Sequence, residues 1–322
     1  MGPTTDMVVN IIPCERIGFA RWFEVGRRPA DLVSAVEALT ALYQNPAERR
    51  PLRLVAQRAD GEIVAKLGGY ITRGGRLAFW SVYYATPLDE LRRRQLARRL
   101  VRACLDLAVA DPTVRYVETR PGHDSPDLPF LLDALRDEGM RLIAEHHVYQ
   151  WSEKMRIANK ARPPVTGLRI VPYEEANRGL LGELFDRVKK VTLDRAERQS
   201  LASTQDTLDE LAQQSAEVAS TGLWSLAFLA DNPVGFVLCG GEPPDGLVLE
   251  LGVVPEARRR GIGSRLLDAA LHALTARGVE TAEALIDDAN TPSIALHQAC
   301  GFVRLQGEFY TWRYDAKPAA KG

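Results

Sequence analysis

Cysteine is scarce in this 322-residue chain. The four present, Cys14, Cys104, Cys239 and Cys300, are scattered, with no CxxC pair and no metal-ligand spacing. That argues against a disulfide framework or a zinc site, and for reduced thiols in a cytoplasmic protein. Long apolar runs are missing too. No stretch nears the roughly 20 residues that cross a bilayer, and Met1-Gly2-Pro3-Thr4-Thr5-Asp6 lacks the basic and apolar parts of a secretory leader. Neither sign of charge dominates: 41 Lys and Arg stand against 42 Asp and Glu, for a net charge of -1. Such a balance gives no overall pull toward nucleic acid or an anionic membrane, and the arginine clusters are local. What remains is the composition of a soluble globular protein, 46% hydrophobic and 26% charged, long enough for two domains.

The boundary between those domains is expected near 152–167. Ser152 to Arg162 is polar, Pro163-Pro164 favours an extended spacer, and Val165-Thr166-Gly167 precedes a new strand-like run. The predicted division is 1–152, a linker over 153–167, and 168–315; Ala316 to Gly322 reads as a loose tail. The two halves share one plan. Glu90-Leu91-Arg92-Arg93-Arg94-Gln95-Leu96-Ala97-Arg98-Arg99-Leu100-Val101 aligns without gaps on Glu256-Ala257-Arg258-Arg259-Arg260-Gly261-Ile262-Gly263-Ser264-Arg265-Leu266-Leu267. Val148-Tyr149-Gln150-Trp151 resembles Phe309-Tyr310-Thr311-Trp312, and Gly139-Met140 falls where Gly301-Phe302 does. These matches indicate an internal duplication.

In the second half, periodicity predicts a strand at 168–173 and helices over 175–190 and 204–219, the latter capped by Thr204 or Asp206. Strands at 224–230 and 234–240 are joined through Asp231-Asn232. Strand 247–254 then leads into helix 261–277, which stops at Gly278. Strand 280–286, helix 291–299 and strands near 302–306 and 308–314 complete the pattern. The fold class is α/β, a mixed, mostly antiparallel sheet flanked by helices.

Leu249 to Ser264 reads as a strand, a turn and a helix start. Arg258, Arg259, Arg260, Gly261 and Gly263 sit where the helix presents its free N–H groups. Backbone donors and the helix dipole both favour an anion there, and glycine leaves room for phosphate oxygens to approach. Downstream runs Asn290-Thr291-Pro292-Ser293-Ile294-Ala295-Leu296-His297-Gln298-Ala299-Cys300-Gly301-Phe302. Together the segments resemble motifs A and B of the GNAT acetyltransferase superfamily, whose members move an acyl group from acyl-CoA to an amine. Arg258-x-x-Gly261-x-Gly263 matches the family's Q/R-x-x-G-x-G/A motif. The resemblance is strong over about 168–314 and mostly architectural over about 7–151.

The resemblance implies two tandem GNAT-like domains and acetyl-CoA as co-substrate. Its pyrophosphate would lie on Arg258, Arg259, Arg260, Gly261, Ile262, Gly263 and Ser264. Its pantetheine arm would lie along Leu251, Gly252 and Val253, on a strand that splays from its neighbour. Glu250 is the candidate general base, against a structural or substrate-orienting carboxylate. His297 stands seven residues after Asn290, where the family commonly has a tyrosine facing the leaving thiolate. It is the candidate acid, against a histidine that packs on a helix face. Asn290 caps the motif B helix or bonds the pantetheine region. Tyr310 and Trp312 read as core or sheet-face aromatics, against a contact with the acceptor.

In the first half Gln95 and Ala97 replace the two glycines, and Leu135 stands where the tyrosine would be. Arg92, Arg93, Arg94, Arg98 and Arg99 read as a solvated basic helix face, on a degenerate copy that binds no acyl-CoA. The expected function is N-acetyl transfer by direct attack of a primary amine, on a small molecule or a peptide. The rival is a non-catalytic acyl-CoA-binding sensor or interaction module. Segment 191–203 is expected to border the acceptor cleft. Its Asp194, Arg195, Glu197 and Arg198 carry both signs and select no acceptor class, and oligomeric state is unreadable.

Overall fold

A computed structural model describes residues 9–25, 32–44, 49–85, 88–122, 127–153, 164–217 and 223–316. The chain forms two compact units, Met1–Ile143 with Phe309–Gly322, and Ala144–Glu308. In chain order the elements are β1 (Val9–Pro13), α1 (Leu32–Gln44), β2 (Arg49–Arg58), β3 (Ile63–Thr72), β4 (Arg76–Tyr84), α2 (Glu90–Ala110), β5 (Tyr116–Thr119), α3 (Leu128–Asp137) and β6 (Arg141–Ser152). There follow β7 (Leu168–Pro172), α4 (Arg178–Lys189), α5 (Arg195–Gln199), α6 (Thr204–Glu217), β8 (Ser225–Leu229), β9 (Asn232–Glu242) and β10 (Asp245–Val253). The chain ends with α7 (Ile262–Thr275), β11 (Thr281–Asp287), α8 (Thr291–Ala299) and β12 (Val303–Asp315). The unit boundaries fall inside β6 and β12 and not at the predicted linker, of which 154–163 lies outside the described residues. The predicted tail, save Ala316, lies outside them as well.

In the first unit β1, β2, β3 and β4 pair antiparallel in sequence, β4 pairs β5 in parallel, and the end of β12 closes antiparallel on β5. The second unit has the same pattern. There β7, β8, β9 and β10 are antiparallel, β10 pairs β11 in parallel, and β6 closes antiparallel on β11. Each unit is thus a mixed, mostly antiparallel sheet with packed helices.

The helices form because their apolar residues recur at helical spacing and bury one stripe. In α2 that stripe is Leu96, Ala97, Leu100, Val101, Cys104, Leu105 and Ala108, and in α7 it is Ile262, Leu266, Leu267, Ala270, Leu271 and Leu274. The α2 stripe joins Leu77, Phe79, Leu131, Leu135 and Trp312 in the first core. The α7 stripe joins Leu181, Phe185, Leu208, Phe236 and Leu238 in the second. Both α3 and α8 end on a left-handed glycine, Gly139 at φ 80° and Gly301 at φ 94°. The next amide returns to the helix in the same way, Met140 to Leu135 O and Phe302 to His297 O.

Four local expectations change. The two late strands are one, β12, passing through Gly307 at φ 118°. The β8–β9 turn is Ala230-Asp231, with Ala230 at φ 53°, and Asn232 already belongs to β9. Ser203 and Asp206 share a reciprocal cap at the start of α6: the Ser203 hydroxyl donates to the Asp206 carboxylate at 2.7 Å and accepts the Asp206 amide at 3.1 Å. Segment 191–203 contains a further short helix, α5, started by Asp194, whose carboxylate accepts the Glu197 amide at 2.9 Å. All four cysteines are buried and free, and no helix among the described residues is long and apolar enough to cross a membrane.

Candidate active site

The second unit's sheet opens at one place. β10 and β11 pair only from Asp245 with Thr281 to Val248 with Ala284. Beyond that point β11 stays with β6 as far as Asp287, and β10 stays with β9 as far as Val253. An extra residue, Leu249, is inserted in β10 between the Val248–Cys239 and Glu250–Leu238 pairs. Such a bulge bends its strand and ends regular pairing, and here it sits where the two parallel strands part. The inner edge of Leu251-Gly252-Val253 consequently faces a cleft, where backbone donors and acceptors need a partner.

The turn after β10 brings the start of α7 to this cleft. Arg258 folds back so that its Nε donates to Val253 O at 2.9 Å. Arg259 is left-handed at φ 62°, and Gly261 caps α7 at φ 82°, a conformation glycine adopts without strain. The Arg265 amide returns to Gly261 O, so the amides of Ile262 and Gly263 precede the intrahelical ladder and project from the helix end. At Gly263 spacing is the constraint: a Cβ there would lie 3.2 Å from Leu296 Cδ2 and 3.8 Å from Leu251 Cδ2. The opposite wall is α8, started by Asn290, whose Oδ1 accepts the Ser293 amide at 3.4 Å.

The resulting cavity has a volume of about 510 Å³, within the range of small-ligand sites. Leu251, Gly252, Val253, Arg258, Arg259, Gly261, Ile262, Gly263, Ser264 and Asn290, all candidate cofactor-binding residues, line it. Arg260, Glu250 and His297 do not. Arg260 is exposed on the turn, and Glu250 is half-buried on β10. His297 is 3% exposed and stacks edge-on against Phe302, ring centroids 5.0 Å apart. Its Nδ1 lies 2.8 Å from Ser293 O. A carbonyl only accepts, so Nδ1 carries the proton, and Nε2 is an acceptor buried without a hydrogen-bond partner. Burial pushes the imidazole pKa below its ordinary value, against the Ser293 bond, which raises it. Its counterpart in the first unit, Leu135, is also fully buried, so this helix position serves the core in both units.

Sequence reasoning missed part of the wall. Val188, Val191, Thr192 and Leu193 line the cleft from the end of α4 onward, as do Ala257 and, on α8, Pro292, Ser293, Ala295 and Leu296. Val191, Thr192 and Leu193 belong to segment 191–203, which was expected at the acceptor cleft, and they line the cavity at the α7 start. Pro292, Ala295 and Leu296 carry no reactive group, and only the helix face gives them away.

Two clusters have metal-ligand composition, His146 with Asp194 and Asp287, and Glu145 with His147 and Glu308. Each already holds an arginine. The Arg195 guanidinium donates to Asp287 at 2.7 Å, and Arg304 lies 2.9 Å from His147 Nδ1 and 3.5 Å from Glu308.

The start of α2 in the first unit is built differently. Asp89 caps it with its own carboxylate, accepting the Arg92 amide at 2.8 Å, where an anion would otherwise sit. Arg92, Arg94, Arg98 and Arg99 are exposed, as a solvated face requires, and each is also held by a local partner. Arg93 pairs with Asp127 at 2.8 Å, Arg98 with Glu138 at 2.7 Å and Arg94 with Asp133, while Arg92 lies 3.3 Å from Asp89 and Arg99 donates to Val9 O.

A split parallel strand pair with a glycine-started helix at its mouth is the arrangement that the GNAT resemblance implies. The model of the acetyltransferase (GNAT) family matches residues 190–302. A peptidyl-lysine N-acetyltransferase, YjaB of Salmonella typhimurium, is 31% identical over 112 residues, 33% of this chain and 70% of that protein. Mycothiol acetyltransferase of Thermobispora bispora is 38% identical over 65 residues, 20% of this chain; the match covers only 22% of that relative's length. Among solved structures, a tandem GNAT protein from the clavulanic acid biosynthesis pathway superposes with TM-score 0.61 at 16% identity, covering 97% of this chain and all of that one (100%). A GCN5-related N-acetyltransferase from Sphaerobacter thermophilus gives TM-score 0.60 at 17% identity, covering 97% and 96%. The chain belongs to the GNAT acetyltransferase family.

Proposed function

We propose that the second unit binds acyl-CoA, with acetyl-CoA as the donor, and transfers the acyl group to a primary amine of a small molecule or peptide. The observation that carries this is the parting of β10 from β11 after Val248 and Ala284, with the α7 N-terminus at its mouth. Ile262 and Gly263 amides, with Arg258 and Arg259, would take the pyrophosphate, and Leu251-Gly252-Val253 would pair with the pantetheine amides. The amine lone pair attacks the thioester carbon, the new C–N bond forms, and the C–S bond breaks to release CoA thiolate. A backbone N–H near Val253 would polarise the carbonyl. Thiols have ordinary pKa values of about 8.5, so the leaving thiolate needs little help. We accordingly give His297 a packing role. Glu250 lies outside the cleft lining and would accept the amine's proton through water. Slower turnover in Glu250→Gln supports that route, and unchanged turnover assigns the proton to solvent.

The absence of Glu250 and His297 from the cleft lining favours the second reading, an acyl-CoA-binding module without transfer. Release of CoA from acetyl-CoA, measured with and without a panel of amines and peptides, separates the two. Amine-dependent release supports transfer, while retained acetyl-CoA and no release with any acceptor supports the module. In either case we assign the first unit to a degenerate copy with no donor site, because Asp89 occupies its helix start.

A further inference from the structure

One fully buried carboxylate outside the donor frame ties the cleft's walls together. Asp287, 0% exposed, ends β11. It accepts the Arg195 amide at 2.6 Å and the Arg195 guanidinium through Nε at 3.1 Å and through its terminal nitrogen at 2.7 Å. It also accepts the Ala289 amide at 3.0 Å, and its backbone carbonyl accepts the Asn290 amide at 2.8 Å. Its strand register places it with care. β10 and β11 are parallel and last pair at Val248 with Ala284, so Asp287, three residues further along β11, lies beyond the point where the strands part. Arg195 follows Leu193 by two residues, and Val191, Thr192 and Leu193 form the cleft wall on that side. Val191 and Leu193 are 42% and 44% exposed, so little apolar packing holds this wall down. The neighbouring cap strengthens the anchor, since Asp194 faces His146 Nε2 at 3.4 Å.

We propose that Asp287 is a positioning residue for the thioester end of the cleft, holding Arg195 so that α5 and the Val191–Leu193 wall stand over the split. This rests on the donor-site reading above for the ligand, but not for the lock itself. Charge-assisted bonds to a guanidinium and two amides are stronger than their neutral counterparts. Replacing the carboxylate by an amide removes the charge and turns one acceptor into a donor facing donors. The pyrophosphate end, at Arg258 to Ser264, makes no contact with Asp287 among the bonds above. The lock should therefore affect the pantetheine and acyl portion of the donor alone.

The test compares wild type with Asp287→Asn, using acetyl-CoA and 3′-phospho-ADP, the nucleotide half of CoA without pantetheine, as probes. Amide exchange over 191–199 is followed alongside. We expect faster exchange in that segment, an acetyl-CoA Kd raised about tenfold or more, and a 3′-phospho-ADP Kd within about twofold of wild type. Both affinities falling together with loosening throughout the unit would make Asp287 merely structural and overturn the proposal. So would exchange and both affinities that do not change. If Asp287→Asn does not fold, Arg195→Met reads the same lock while keeping the residue 195 amide bond, with the same expected split. A wild type that binds neither probe defeats the donor-site reading, while the exchange comparison still decides whether Asp287 pins the wall.

Discussion

The two glycines of the α7 turn serve different ends, and substitution should separate them. Gly261 sits at φ 82°, and an added Cβ would make only an ordinary contact, with Val165 Cγ2 at 3.6 Å. Gly261→Ala therefore meets a conformational cost, roughly 1–2 kcal/mol for an L-residue held left-handed, lowering Tm by about 2–4 °C per kcal/mol in a unit of this size. Gly263 has an ordinary helical backbone, so Gly263→Val meets no such cost. It gains about 0.5 kcal/mol or less of helix propensity, against roughly 1–3 kcal/mol for crowding Leu296 and Leu251. Part of that crowding is relieved into the cleft itself, at the expense of the ligand. Thermal unfolding and acetyl-CoA calorimetry on both variants should show Gly261→Ala less stable. Gly263→Val should change Tm by no more than a few degrees, yet bind acetyl-CoA at least about tenfold more weakly. Gly263→Val binding like wild type would refute the placement of the donor between α7 and α8.

Three further outcomes follow from the structure. Asp89→Ala should lose about 1 kcal/mol of stability, as removal of a helix cap does, without creating a second acetyl-CoA site, checked by urea unfolding and binding stoichiometry. For Asp287, burial raises the pKa, but bonds from Arg195 and the backbone amides more than offset it and hold it at about 2, against an ordinary 3.8. A lowered carboxylate pKa stabilises the fold above the unfolded value, and the benefit disappears as pH falls through the folded value. Wild type should thus lose about 2 kcal/mol relative to Asp287→Asn between roughly pH 5 and pH 2. A constant difference in unfolding free energy across that range would contradict the assignment. His297 has the opposite chemistry with the same sign. Its folded pKa is depressed by burial, so the unfolded chain binds a proton more readily, and His297→Leu should make stability less dependent on pH below about 6.5, read by unfolding at pH 7.5 and 5.5.

The turn and helix start proposed to hold the donor were legible because their pattern is local. Arg258-x-x-Gly261-x-Gly263 needs only a strand before it and a helix after it, and both are set by nearby apolar spacing. Helices 261–277 and 291–299 were readable for the same reason. Long-range features were not. The parting of β10 from β11 was expected only through the family resemblance, because it depends on pairing partners far apart in sequence, and the unit boundaries inside β6 and β12 leave no compositional mark. His297 shows the limit of reading a residue by its place in a motif: the resemblance left open a thiolate-facing acid or a packing residue, and only the fold reveals the edge-on contact with Phe302. Asp287 carried no signal, because its importance lies in where Arg195, 92 residues away, arrives.

Acetyl-CoA titration of wild type and Gly261→Gln by calorimetry, with stoichiometry fitted, tests the central claim most directly. One site per chain, lost in the variant, is the predicted result and assigns the donor to the second unit. Two sites per chain, or one that survives the substitution, would contradict it and return the first unit to consideration as the donor-binding half.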